Sequence, residues 1–138
     1  MPAIIPRTFT LLDVVAACVV AVLIILLSSR MPRGQRQSLH AIVVAGAGAA
    51  YLTAGLGAWE FAFTTVATFV AWRGLADIRF VGIAWLLHTG WDVVHHLYAE
   101  PIVWAVPSSS AQCAVCDVIL ASWFLAGAPA LGPLARRE

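Results

Sequence analysis

Apolar residues in this chain come in long unbroken runs, not in the stripes of a soluble amphipathic helix or the alternation of a half-buried strand. The first run, residues 11–27, is closed by Ser28-Ser29-Arg30. It is too long for the apolar region of a signal peptide, and no small-residue cleavage site precedes the Arg cluster, so it reads as a retained helix. The second run extends over 39–71, well beyond the ~20 residues that cross a bilayer. It must fold back once, and Gly55-Leu56-Gly57-Ala58 is the natural turn. A fourth helix is expected over 80–98, stopped by Glu100-Pro101. Pro107-Ser108-Ser109-Ser110 leads into the last, where Ser109 and Gln112 have the spacing of a capping box. The pattern predicts an all-α membrane bundle, one domain over 1–138, with spans of about 11–29, 39–55, 58–72, 80–98 and 111–127.

Composition agrees. Of the 138 residues 62% are hydrophobic and 11% charged, with a mean hydropathy of +0.90. A soluble domain of this size needs about a quarter charged residues to cover its surface. The formal net charge of +1 leaves no footprint for nucleic acid. Three cysteines are too few for a disulfide framework.

Charge distribution supplies the orientation. Every basic residue is Arg. If the loop with Arg30, Arg33 and Arg36 is cytoplasmic, alternation puts Arg73, Arg79, Arg136 and Arg137 on the same side and leaves only Arg7 outside. Five spans therefore imply an external N-terminus and a cytoplasmic C-terminus in the cell inner (cytoplasmic) membrane. The acids Asp13, Glu60, Asp92, Glu100 and Asp117 then fall in the outer half, a segregation that the positive-inside rule does not explain.

The segment His88-Thr89-Gly90-Trp91-Asp92-Val93-Val94-His95-His96 carries the chemistry. At about 100° per residue, His88, Asp92 and His95 share one narrow stripe, with His96 on its shoulder. Asp92 lies roughly 9 Å and His88 roughly 15 Å below Tyr98, deep in the bilayer. Ionisable groups at that depth must be paired, ligated or hydrated. Cys113 and Asp117, spaced i, i+4, face the same way on the last helix, and Glu60 opens the third at the same end. Four readings fit this layer. His88, His95 or His96 with Asp92, Asp117 or Glu60 could bind a divalent transition metal such as Zn or Fe. The same groups could form a metal-free acid/base site, a hydrogen-bonded network that fixes helix register, or part of an ion path. The last is the weakest, because the inner half continues no polar chain.

Other features are less specific. Cys113-Ala114-Val115-Cys116 has C-x-x-C spacing at a helix start, compatible with a disulfide or redox pair on the oxidising side, with metal ligands, or with packing. Cys18 reads as packing, and His40 as an interfacial or capping residue far from the polar layer. Ala45-Gly46-Ala47-Gly48-Ala49-Ala50 offers small-residue contacts within the bundle or in a homo-oligomer. Trp59, Trp72, Trp91, Trp104 and Trp123 suit an aromatic belt, with Trp85 deeper as core or pocket wall.

The stretch Gly82-Ile83-Ala84-Trp85-Leu86-Leu87-His88, with Trp91-Asp92, His95-His96, Pro101-Ile102, Ser108-Ser109, Cys113-Ala114, Asp117 and Trp123-Phe124, resembles a family of small bacterial membrane proteins known only as a domain of unknown function. Tyr51, Gly57, Glu60 and Arg73-Gly74-Leu75 extend the resemblance over most of the chain. It implies that the polar layer belongs to the family's pattern, and it supplies no reaction. Asp92-Val93-Val94-His95-His96 also resembles the H-x-x-H-H box of membrane desaturases with Asp for the first His. The four histidines here are too few for that di-iron site.

The sequence thus points to a membrane enzyme of isomerase, cyclase or hydrolase type. Asp92, Asp117 and Glu60 are its candidate catalytic acids and His88, Asp92, His95 and His96 its candidate metal ligands. Its expected substrate is an apolar small molecule, a lipid or isoprenoid reached from the bilayer. The alternative is a non-catalytic metal-binding or structural subunit of a membrane complex.

Overall fold

Thr10 and Asp13 begin the first helix as a reciprocal cap. The Asp13 carboxylate accepts from the Thr10 backbone N–H at 2.8 Å, and the Thr10 hydroxyl oxygen accepts from the Asp13 N–H at 3.4 Å. The computed structural model describes residues 4–131, and among these the chain forms five helices and no strand. They are α1 (Leu11–Ser28), α2 (Arg33–Ala49), α3 (Ala58–Arg73), α4 (Ile78–Tyr98) and α5 (Ser109–Leu125). The expected turn between α2 and α3 forms, with Gly55 at φ 106° and Gly57 at φ 60°, where side chains are strained. Glu60 Oε1 then accepts from the Leu56 N–H at 2.8 Å and closes the start of α3.

The helix ends differ from those the hydropathy pattern predicts. α2 starts at Arg33 instead of near Leu39 and stops at Ala49, while α5 runs Ser109–Leu125 instead of 111–127. Hydropathy marks where a helix becomes apolar, not where it begins, so the polar turn Gly34-Gln35-Arg36-Gln37 was invisible to it. The Ser109/Gln112 capping box does not form. Ser108 is the N-cap, Ser109 Oγ accepts from the Val103 N–H at 3.0 Å, and Gln112 Nε2 donates to Asp13 Oδ1 at 2.6 Å.

Five helices form, but among the described residues only α1 is long and apolar enough to cross a membrane by that measure alone. It has 18 residues, a mean hydropathy of 2.9, and 22% of it is buried. α3 and α5, with 16 and 17 residues, reach only about 24–26 Å at ~1.5 Å per residue. α4 is 21 residues long but diluted by Arg79, His88, Asp92, His95 and His96. Arg136, Arg137 and Glu138 lie outside the described residues.

α4 and α5 form the central pair; α1 packs along α5, and α2 and α3 pack on each other and on α4. Gly82 allows the central contact, since a Cβ there would meet Leu125 Cγ at 2.8 Å and the Ala121 carbonyl oxygen at 3.0 Å. Gly48, from the small-residue stretch, faces Ala67 and Phe63 of α3 within the bundle. The N-terminal segment crosses one end of the bundle. The Ile5 N–H donates to the Leu97 carbonyl at 2.8 Å, and the Arg7 guanidinium donates to the last carbonyls of α4, His95 (2.8 Å), His96 (2.9 Å) and Ala99 (2.6 Å).

Two placements are corrected. His40 is neither interfacial nor a cap: it lies inside α2, 4% exposed, with Nε2 2.9 Å from Ser28 Oγ and its ring against Phe124, Trp85 and Trp123. The Trp85 ring stands between it and the polar layer, with centroids 6.0 Å from His40 and 6.2 Å from His88. Of the five belt tryptophans, Trp59, Trp72 and Trp104 are exposed, but Trp123 is buried and Trp91 stacks on Phe63 at 4.4 Å.

Candidate metal centre

The α-helical period that places His88, Asp92 and His95 on one stripe turns that stripe into the bundle, where they are 2%, 0% and 0% exposed. The close approach at Gly82 sets α5 beside it and brings in Asp117, which is also buried. His88 Nδ1 stands 2.7 Å from Asp117 Oδ2 and 3.2 Å from Asp92 Oδ2. The shorter contact is the hydrogen bond, and the longer one sets Asp92 Oδ2 beside the same ring nitrogen. Asp92 Oδ2, His88 Nε2 and His95 Nε2 are buried with no hydrogen-bond partner among the described residues.

The other oxygen of Asp92 is held firmly. Tyr51, fully buried just beyond α2, donates its hydroxyl to Asp92 Oδ1 at 2.6 Å. Ser110 Oγ is 2.9 Å from the Tyr51 oxygen and also accepts from the Ile102 N–H at 3.1 Å. Tyr51 stacks on His95 with ring centroids 3.9 Å apart and planes at 26°. Helix periodicity could not supply Tyr51, which lies in the turn after α2 and entered only through the family resemblance, whereas Ser110 stands i, i+3 and i, i+7 from Cys113 and Asp117 on α5.

His88, Asp92 and Asp117 each offer an atom such that all three lie within 4.8 Å of one another, a group that can hold a metal ion. The set of one imidazole and two carboxylates suits a divalent transition metal, with room for a further ligand. It also has an unbalanced charge. With His88 protonated one carboxylate is compensated, and the second needs a proton or a cation to persist in an apolar surround. The remaining candidates stand outside this group. His95 Nδ1 is 3.1 Å from the Glu100 carbonyl oxygen, and the His95 ring supports Tyr51. His96 is half-buried against Phe9, with ring centroids 6.1 Å apart, and Glu60 is buried at the start of α3.

A cavity of about 380 Å³ adjoins the cluster. Its walls are Ala16, Val20 and Ile24 of α1, Ala47 of α2, and Trp85, with His88 and Asp117 at the polar side. Cys113 and Cys116 also face it, as free thiols and not a disulfide.

The model of the family of unknown function DUF6010 matches residues 12–130, so the chain belongs to that family, and the match takes in every residue of the cluster. No curated protein and no solved structure matches it.

Proposed function

We propose that this DUF6010 protein is a multi-pass inner-membrane enzyme that holds a divalent transition metal, Zn or Fe, between His88, Asp92 and Asp117. Its substrate is a lipid or isoprenoid-like molecule admitted to the adjoining cavity. The observation that carries this reading is the convergence of three buried ionisable side chains, from two helices, two of which, His88 and Asp117, line a largely apolar cavity. Structural networks need no cavity, and lipid-binding cavities need no acids. Their coincidence supports chemistry on an apolar molecule.

The membrane setting rests on the outside of the bundle. Leu12, Ile42, Phe61 and Phe69 are among many large apolar side chains left exposed, on every one of the first three helices. Surfaces of this kind are covered in the cell, and lipid covers all sides of a bundle at once. Arg30, Arg33, Arg36, Arg73 and Arg79 at one end, with only Arg7 at the other, support five spans with the N-terminus outside. Helices of 16 and 17 residues complete the crossing with their flanking turns.

In this reading Asp92, held by Tyr51, and His88 fix the ion, and Asp117 at the cavity wall is the group nearest the substrate. A metal held by His88, Asp92 and Asp117 would supply a Lewis acid for a substrate oxygen. A second reading is favoured by the 2.7 Å His88–Asp117 contact, which is itself an acid/base pair able to pass a proton to an apolar substrate. Elemental analysis of protein purified in mild detergent without chelator separates them. The metal reading expects about one equivalent of Zn or Fe per chain, lost in Asp92→Asn and Asp117→Asn with the helices intact. Less than about a tenth of an equivalent in the unaltered protein leaves the acid/base pair or a purely structural cluster.

A further inference from the structure

We infer that the cavity takes a single uncharged apolar chain ending in a hydroxyl, a free prenol or fatty alcohol, and rejects phosphate-bearing and two-chain lipids. The inference rests on the proposed reading of the site and narrows its substrate. Size comes first. About 380 Å³ is at the low end of the ~300–1,000 Å³ of small-molecule sites, enough for one chain. The wall fits that shape: Ala16, Val20 and Ile24 recur every four residues on α1 and form a strip roughly 12 Å long.

Charge then selects the end group. Among the described residues that line the cavity there is no Arg, and the chain contains no Lys. The titratable groups it presents are His88, Asp117, Cys113 and Cys116, with Asp92 directly behind. One divalent ion is already balanced by the carboxylates of Asp92 and Asp117, so the charge of an anionic headgroup would be left uncompensated there. Arg7 sits at the same end of the bundle, but both of its terminal nitrogens are engaged by carbonyls of His95, His96 and Ala99. The polar residues at the rim are also engaged. Ser109 is bonded to the Val103 backbone, and Gln112 Nε2 donates to Asp13 and Ser108.

A hydroxyl meets these conditions better than a carbonyl. It carries a proton that a carboxylate can accept, and its oxygen can accept from an imidazole N–H or enter the open position of a metal. A ketone or ester can do only the second. The alcohol end therefore belongs at Asp117 and His88, with the chain along α1.

Equilibrium binding of tritiated farnesol to the full chain in detergent tests this, with unlabelled farnesol, farnesyl diphosphate and dioleoyl phosphatidylglycerol as competitors. Farnesol should compete at least about tenfold better than either of the others. Ala17→Phe and Val20→Phe, which fill the cavity from α1, should each weaken farnesol binding by about tenfold or more while metal content and helicity stay unchanged. Equal competition by the diphosphate or the phospholipid overturns the inference, as does normal farnesol binding in both filled variants. Farnesol binding that is lost in the filled variants of a metal-free protein supports the inference and removes the metal reading alone.

Discussion

His88 on α4 and Asp117 on α5 meet at 2.7 Å, nitrogen to oxygen, inside the most extensive helix–helix contact among the described residues. The contact depends on backbone spacing, because Gly82 lies in the same interface and has no room for a side chain. In Gly82→Ala the added methyl presses on Leu125 and the Ala121 carbonyl, and we expect a loss of about 1–3 kcal/mol. Thermal unfolding in detergent reads the loss. Metal affinity should fall with it, because the two faces of the site part. A variant as stable as the parent would show that α4 and α5 tolerate separation.

Tyr51 is expected to act on the site through Asp92. Tyr51→Phe keeps the ring stacked on His95 and removes only the hydroxyl that donates to Asp92 Oδ1. Losing a second-layer donor of this kind weakens metal binding by ~10–100-fold. The stability cost should be about 1–3 kcal/mol, since a buried carboxylate oxygen loses its donor. Competition with a fluorescent chelator measures the first and thermal unfolding the second. Unchanged affinity in a folded variant would make Tyr51 a packing residue.

Single-cysteine labelling in intact cells checks the five-span arrangement. In a background without Cys18, Cys113 and Cys116, cysteines placed in the exposed stretch 32–35, where α1 turns into α2, should resist an impermeant maleimide until the cells are opened. Cysteines placed in 100–108 should react at once. Labelling of both loops from one side would remove the five-span topology and the outer placement of the site.

Much of the site could be read from the sequence because it follows a single periodicity. His88, Asp92 and His95 recur at helical spacing, and burial of that stripe follows from the cost of leaving it in an apolar surround. Asp117 carries the same kind of signal on α5. Tyr51 was legible only as part of the family resemblance, since its role depends on where the chain turns after Ala49. His40 was misplaced because the helix begins earlier, in residues too polar for a hydropathy run to include. The Ser109/Gln112 box failed for another reason: Asp13, remote in sequence, takes the Gln112 amide instead. Local spacing describes a cap correctly only when no distant partner competes for it.

X-ray absorption at the metal edge of the purified protein tests the central claim most directly. We expect Zn or Fe with a shell of nitrogen and oxygen at about 2.0–2.2 Å, an imidazole scattering pattern, and its loss in His88→Gln. A shell containing sulfur at about 2.3 Å would move the metal to Cys113 and Cys116, and an empty edge would leave His88, Asp92 and Asp117 without an ion. Either result would contradict the account.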